Sequence, residues 1–113
     1  MGKEIIPTTL LRVFVKKGEG ERIKRLSKSN GHPLEIRFCI SDDLTGLLNQ
    51  EFIEGKVNSI QGYSDGREVP KRYRLYALFF KPQDAGNSRK VADAPKSYLR
   101  QVYVKEGGGY TQL

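Results

Sequence analysis

Residues 69–81, VPKRYRLYALFFK, contain no Gly and are dominated by aromatic, branched and basic side chains. With a period of two, one face carries Lys71, Tyr73, Leu75, Ala77 and Phe79. The other carries Arg72, Arg74, Tyr76, Leu78 and Phe80. Such a run reads as a long strand. Its first half alternates cations with rings, and its second half is apolar on both sides. The far end therefore anchors in a core, with Phe79 and Phe80 among the core rings, while the near end stands out as a charged, ring-bearing surface. Cations attract phosphates and flat rings stack on bases, so this half matches what a single nucleic-acid strand needs. The competing reading is a two-sided sheet strand whose Arg and Lys only solvate its outer face.

Further strands flank this one. Residues 5–17 alternate Leu11, Val13 and Val15 against Leu10, Arg12, Phe14 and Lys16, with Pro7 delaying pairing. Residues 34–41 place Leu34, Ile36, Phe38 and Ile40 on one face and Glu35, Arg37, Cys39 and Ser41 on the other. Residues 51–63 continue extended, with bends expected at Gly55 and Gly62, and residues 97–105 form the last strand. Residues 21–28, ERIKRLSK, carry Ile23 and Leu26 at helical spacing, but the segment is short and runs into Ser29-Asn30-Gly31. A strand entering an Asn-Gly turn is the preferred reading.

One short helix is expected in SDDLTGLLNQEF, residues 41–52, capped by Ser41 or Asp42 and striped by Leu44, Leu47 and Leu48. Residues 81–96 show no periodicity and read as a long loop. Residues 106–113 read as a flexible Gly-rich tail. The sum is one mainly β domain over residues 1–105, a small OB-like five-stranded barrel with a helix between its third and fourth strands. An SH3-like barrel and an open α+β sheet are the competitors.

At 113 residues the chain has room for one modest core. Its formal net charge of +7 and isoelectric point near 9.6 favour polyanionic partners. A single Cys, Cys39, excludes an internal disulfide and a multi-thiolate metal site; on an apolar strand it reads as a buried free thiol. No secretory or myristoylation pattern and no apolar run of membrane-spanning length is present, so the chain reads as cytoplasmic with no membrane partner. Catalysis finds little support. His32 is the only His, in an Asn-Gly-His-Pro turn, and Asp42 and Asp43 serve first as helix-capping groups. No phosphate-loop, zinc or dinucleotide motif occurs, and neither a metal nor a cofactor is expected.

Binding has more material. Candidate phosphate ligands are Lys16 and Lys17; Arg22, Lys24, Arg25 and Lys28; and Lys71, Arg72 and Arg74. Candidate stacking rings are Phe14, Tyr63, Tyr73 and Tyr76, followed by Tyr98 and Tyr103. No recognition helix or RNP signature is seen, which leaves single-stranded DNA or RNA held through backbone and stacking. A protein-interaction module without nucleic acid is the alternative.

Residues 25–34, RLSKSNGHPL, resemble the loop of filamentous-phage single-stranded-DNA-binding proteins of the gene V type. Lys28, Gly31 and Pro33 fit that outline; His32 stands where a Lys is usual, and Leu34 replaces a Tyr. The resemblance implies a homodimeric OB-like protein that coats phage single strands in the host cytoplasm. It extends to Arg25, Lys28 and the turn residues.

Overall fold

The computed structural model describes residues 6–29, 33–42, 50–93 and 98–113. In chain order these form β1 (Thr9–Lys16), α1 (Lys17–Ser29), β2 (Leu34–Ser41), β3 (Glu51–Gly62), β4 (Tyr73–Pro82), α2 (Ala85–Asp93), β5 (Tyr98–Glu106) and β6 (Gly109–Gln112). The sheet order is β1-β4-β3-β2-β5-β6, and β5 also pairs with β1. The fold is mainly β, and its hydrogen bonding runs in a ring.

The period-two reading of β4 holds, with a different outcome on each face. Tyr76, Leu78 and Phe80 point into the main core beside Leu11, Val13 and Val15 of β1 and Ile36, Phe38 and Ile40 of β2. Phe38 and Phe80 meet edge to face, ring centroids 5.1 Å apart. On the outer face Tyr73 and Leu75 join Phe14 in a second, smaller cluster. Further along that face Phe79, expected in the core, is 41% exposed.

Ring closure depends on two irregularities. In β3 the extra residue Asn58 sits between the pairs Val57↔Phe80 and Ser59↔Phe79. The bulge thus falls between Gly55 and Gly62, the positions expected to bend. In β5 the pairing with β2 shifts between Arg37 and Cys39, where Gln101 takes a left-handed φ of 50°. Bulges sharpen local twist, and here they bring Tyr98 back against Phe14 of β1, in parallel register. Cys39 is buried as expected. So is Ser41 on its nominal outer face, because β5 covers that end of β2.

Three segments differ from their expected state. Residues 21–28 are not a strand but the body of α1, which absorbs the Gly-Glu-Gly-Glu tract as well. Its one fully buried large side chain is Ile23, with Leu26 partly buried behind it, so the spacing by three was the informative signal. Residues 85–93, within the expected loop, form α2. The Asp84 carboxylate accepts from the backbone N–H of Asn87 at 2.8 Å, a helix cap. The Asn87 side-chain oxygen in turn accepts from the Glu54 N–H of β3 at 2.9 Å. Residues 109–112, in the expected tail, form β6 on β5, turned by Gly107 at φ 61°. The helix expected in residues 41–52 falls mostly on residues 43–49, outside the described residues, as do His32 and the Asn30-Gly31 turn.

Gly20 is where α1 meets the ring of strands. A Cβ there would overlap the Tyr76 ring, so only Gly lets the helix approach that closely. Ala is the better helix former, yet Gly20→Ala is expected to lower stability by about 1–3 kcal/mol, the usual cost of overpacking. Urea denaturation measures it; an unchanged or raised midpoint would contradict the packing described.

Candidate functional site

Two distant chain segments meet at one end of the strand ring. Lys16, the last residue of β1, pairs with Tyr73, the first of β4, and the Lys17 N–H donates to the Arg72 carbonyl at 3.1 Å. The β3–β4 connection ends in a tight turn in which the Tyr73 N–H donates to the Pro70 carbonyl at 3.0 Å. Arg72 is its third residue, with a left-handed φ of 71°. These links bring Lys16, Lys17 and Arg22 opposite Lys71 and Arg72 around one recess, with Tyr73, Glu19 and Leu113 in its lining. All five cations are exposed. Burial pushes the Glu19 carboxyl up, opposed by Lys16 and Arg100.

A second depression shares Lys17 and Tyr73 with the first and adds Glu21, Val69, Arg74 and Tyr76. The Tyr76 hydroxyl donates to Glu21 Oε2 at 2.8 Å, while the Arg74 guanidinium lies 5.6 Å from the Tyr76 ring centroid and 3.9 Å from the same carboxylate. That hydrogen bond, with Lys24, Arg74 and Arg25 nearby, holds the Glu21 carboxyl below its usual range. Burial, reinforced by the bond to Glu21, pushes the Tyr76 phenol up to about 12.

Outside the ring, Phe14, Tyr73 and Leu75 form an apolar seat with Tyr63 and Tyr98 against it. Tyr98 lies 5.4 Å from Phe14 and 6.1 Å from Tyr73, centroid to centroid. Cations cap these rings. Arg12 stands 5.2 Å over Tyr63, and Arg67, fixed by Asp65 at 2.8 Å, stands 5.2 Å over Phe14. Arg100 Nη1 donates to the Tyr73 hydroxyl at 3.3 Å.

The expected site residues therefore divide. Lys16, Lys17, Arg22, Lys71 and Arg72 converge. Lys24, Arg25 and Lys28 lie farther along α1, where Lys24 and Arg25 act on Glu21. Residues 25–29 are helical rather than part of a loop. Phe14, Tyr73 and Tyr76, expected as open stacking rings, are 5%, 8% and 0% exposed. Neighbouring rings cover Phe14 and Tyr73, and Tyr76 belongs to the main core. Tyr63 keeps a partly open face, as do Tyr98 and Tyr103. Arg12, Arg67 and Arg100 were not anticipated. Arg12 had a legible signal, since it alternates with Phe14 on the outward face of β1.

Comparison with protein-family models, curated proteins and solved structures finds no match. Among the described residues no helix is long and apolar enough to cross a membrane.

The Tyr76–Glu21 bond carries a pH signature. A Tyr titrates near pH 10 in an unfolded chain and near 12 here. Its contribution to stability is therefore complete below about pH 10 and is lost as pH rises towards about 12. Glu21 is displaced the other way, so its contribution is present above the ordinary carboxylate range and lost as pH falls through its lowered value. The wild-type advantage over Tyr76→Phe in denaturation midpoint should be greatest near neutrality, shrink at low pH, and vanish or reverse towards about pH 12, where only the wild type has a buried phenol to ionise. A difference constant across pH would contradict the bond.

Proposed function

We propose that the protein binds single-stranded nucleic acid, DNA in the first instance, without strong sequence preference. The observation that carries this reading is the convergence of Lys16, Lys17, Arg22, Lys71 and Arg72 on one recess, beside an outer sheet face whose rings are capped by Arg12 and Arg67. Exposed cations from separate segments repel one another, and a polyanion relieves that repulsion while displacing its own counterions. Because Phe14 and Tyr73 are largely covered, phosphate contacts dominate affinity, and Tyr63 and Tyr98 offer the adjacent ring faces. This reading suits an OB-like architecture, in which a small set of strands takes an oligonucleotide on its outer face and bordering loops.

A second reading is favoured by β6. It ends the sheet order, and its residues are exposed throughout, so its outer edge suits a pairing strand from a protein partner. Pairing of two such edges would give the homodimer implied by the phage-protein resemblance.

A labelled oligo-dT titrated by anisotropy separates the two. Contacts from five cations give a log–log salt slope near about −3.5, at about 0.7 per phosphate on single strands. Arg72→Gly tests the recess with little risk to folding, because a left-handed third turn position suits Gly. The variant should keep or raise the urea midpoint while its salt slope flattens by about 0.7. No binding at about 50 mM salt would remove the proposal, as would an unchanged slope in the variant.

A further inference from the structure

The outer face of the sheet continues past the aromatic cluster. Beyond Phe14 and Leu75 on β1 and β4 it presents Arg12 with Ala77, then Leu10 with Phe79. Phe79 is 41% and Leu10 is 40% exposed, whereas Phe80, the next residue, is fully buried. The bulge at Asn58 sets the small Ser59 on the other side of Phe79, so no large side chain of β3 lies directly opposite its ring.

Two residues further on, the same face carries Lys81, paired directly with Lys56 of β3. Like charges directly opposed across a sheet are destabilising. Neither Lys makes an ion pair with a described residue. Both are exposed and line one depression with Thr8, Asn58 and Gln83. The Glu35 carboxylate, which faces Lys56 from β2, is paired with Lys105 at 3.1 Å, a third cation lining the same depression, and Glu54 is paired with Arg37 at 3.7 Å. An open ring beside two exposed ammonium groups that make no ion pair with a described residue is a base-and-phosphate pairing of chemistries.

We propose that Phe79 is a base-stacking residue and that Lys56 and Lys81 take the adjoining phosphate, so that the bound strand crosses the outer face from the Lys16 recess to Lys81. This rests on the reading of the protein as a single-strand binder and adds a path and an end point to it. From Tyr73 to Lys81 the track spans roughly 26 Å at about 3.3 Å per residue. It suits a site of about four nucleotides, the low end for a single small barrel. Arg12 sits midway, and Phe79 and Lys81 are separated by about 6.6 Å along the strand.

The chain contains no Trp, which makes Phe79→Trp a single fluorescent reporter. Oligo-dT added to this variant at about 50 mM salt should quench the new indole. Phe79→Ala should weaken oligo-dT binding roughly ten-fold, within the range of one lost stack, with the melting temperature preserved. Lys81→Gln should flatten the salt slope by about 0.7 and leave stability equal or higher, since it relieves the opposed pair. Full oligo-dT affinity in Phe79→Ala with no quenching of the Trp reporter would overturn this path, while wild-type binding would leave the recess reading standing. Conversion of a dimer to a monomer by Phe79→Ala, with oligo-dT affinity intact, would overturn it in favour of a second copy covering Phe79. Absence of wild-type binding would overturn both.

Discussion

A buried phenol must find an acceptor, and for Tyr76 that need fixes the relation of α1 to the strands. Its ring lies wholly inside the core, where an unsatisfied hydroxyl would cost about 1–3 kcal/mol. The acceptor is Glu21, reached only because the helix presents Gly20 to the ring face. Once α1 is held there, Lys17 and Arg22 on its first turns face the β3–β4 turn, and the basic recess follows. The recess is thus a consequence of core packing. Its cations stay in water while the residues that position them are buried.

The two faces of β4 divide the labour. The inner face completes the main core, and the outer face builds a second apolar cluster that is then roofed by guanidinium groups. Arg over an aromatic face is favourable at exposed sites by about 0.5–1 kcal/mol, and such stacking leaves guanidinium edges able to meet phosphate oxygens, although Asp65 takes the Nε edge of Arg67. Rings that support cations in this way need not be open to be useful. For the proposed single-strand binding, covered rings at Phe14 and Tyr73 shift the weight of recognition from stacking to charge.

Much of this was legible in the sequence because strand periodicity is strong where one face is buried. β2 was readable from Leu34, Ile36, Phe38 and Ile40, and β4 from its unbroken alternation. α1 was not, because it touches the core mainly through Ile23 and Leu26 and carries two Gly residues that lower its helix propensity. α2 is anchored by Asp84, Asn87 and the buried Val91, too little for a periodic signal. β6 has no buried face at all, and only its pairing with β5 reveals it. At the site, the basic residues were identifiable by type, but convergence is a property of the fold. Phe79 looked like core because its neighbours do, and only the parity set by the main cluster turns it outward.

Amide chemical-shift mapping with a short oligo-dT on uniformly labelled protein tests the central idea most directly. Perturbed amides are expected at Lys16–Arg22 and Lys71–Tyr73, extending along the outer positions of β1 and β4 and reaching Tyr98 at the start of β5, with the buried positions of β2 and the exposed edge of β6 unmoved. Shifts confined to β5 and β6, or a spectrum indifferent to the oligonucleotide at low salt, would contradict it.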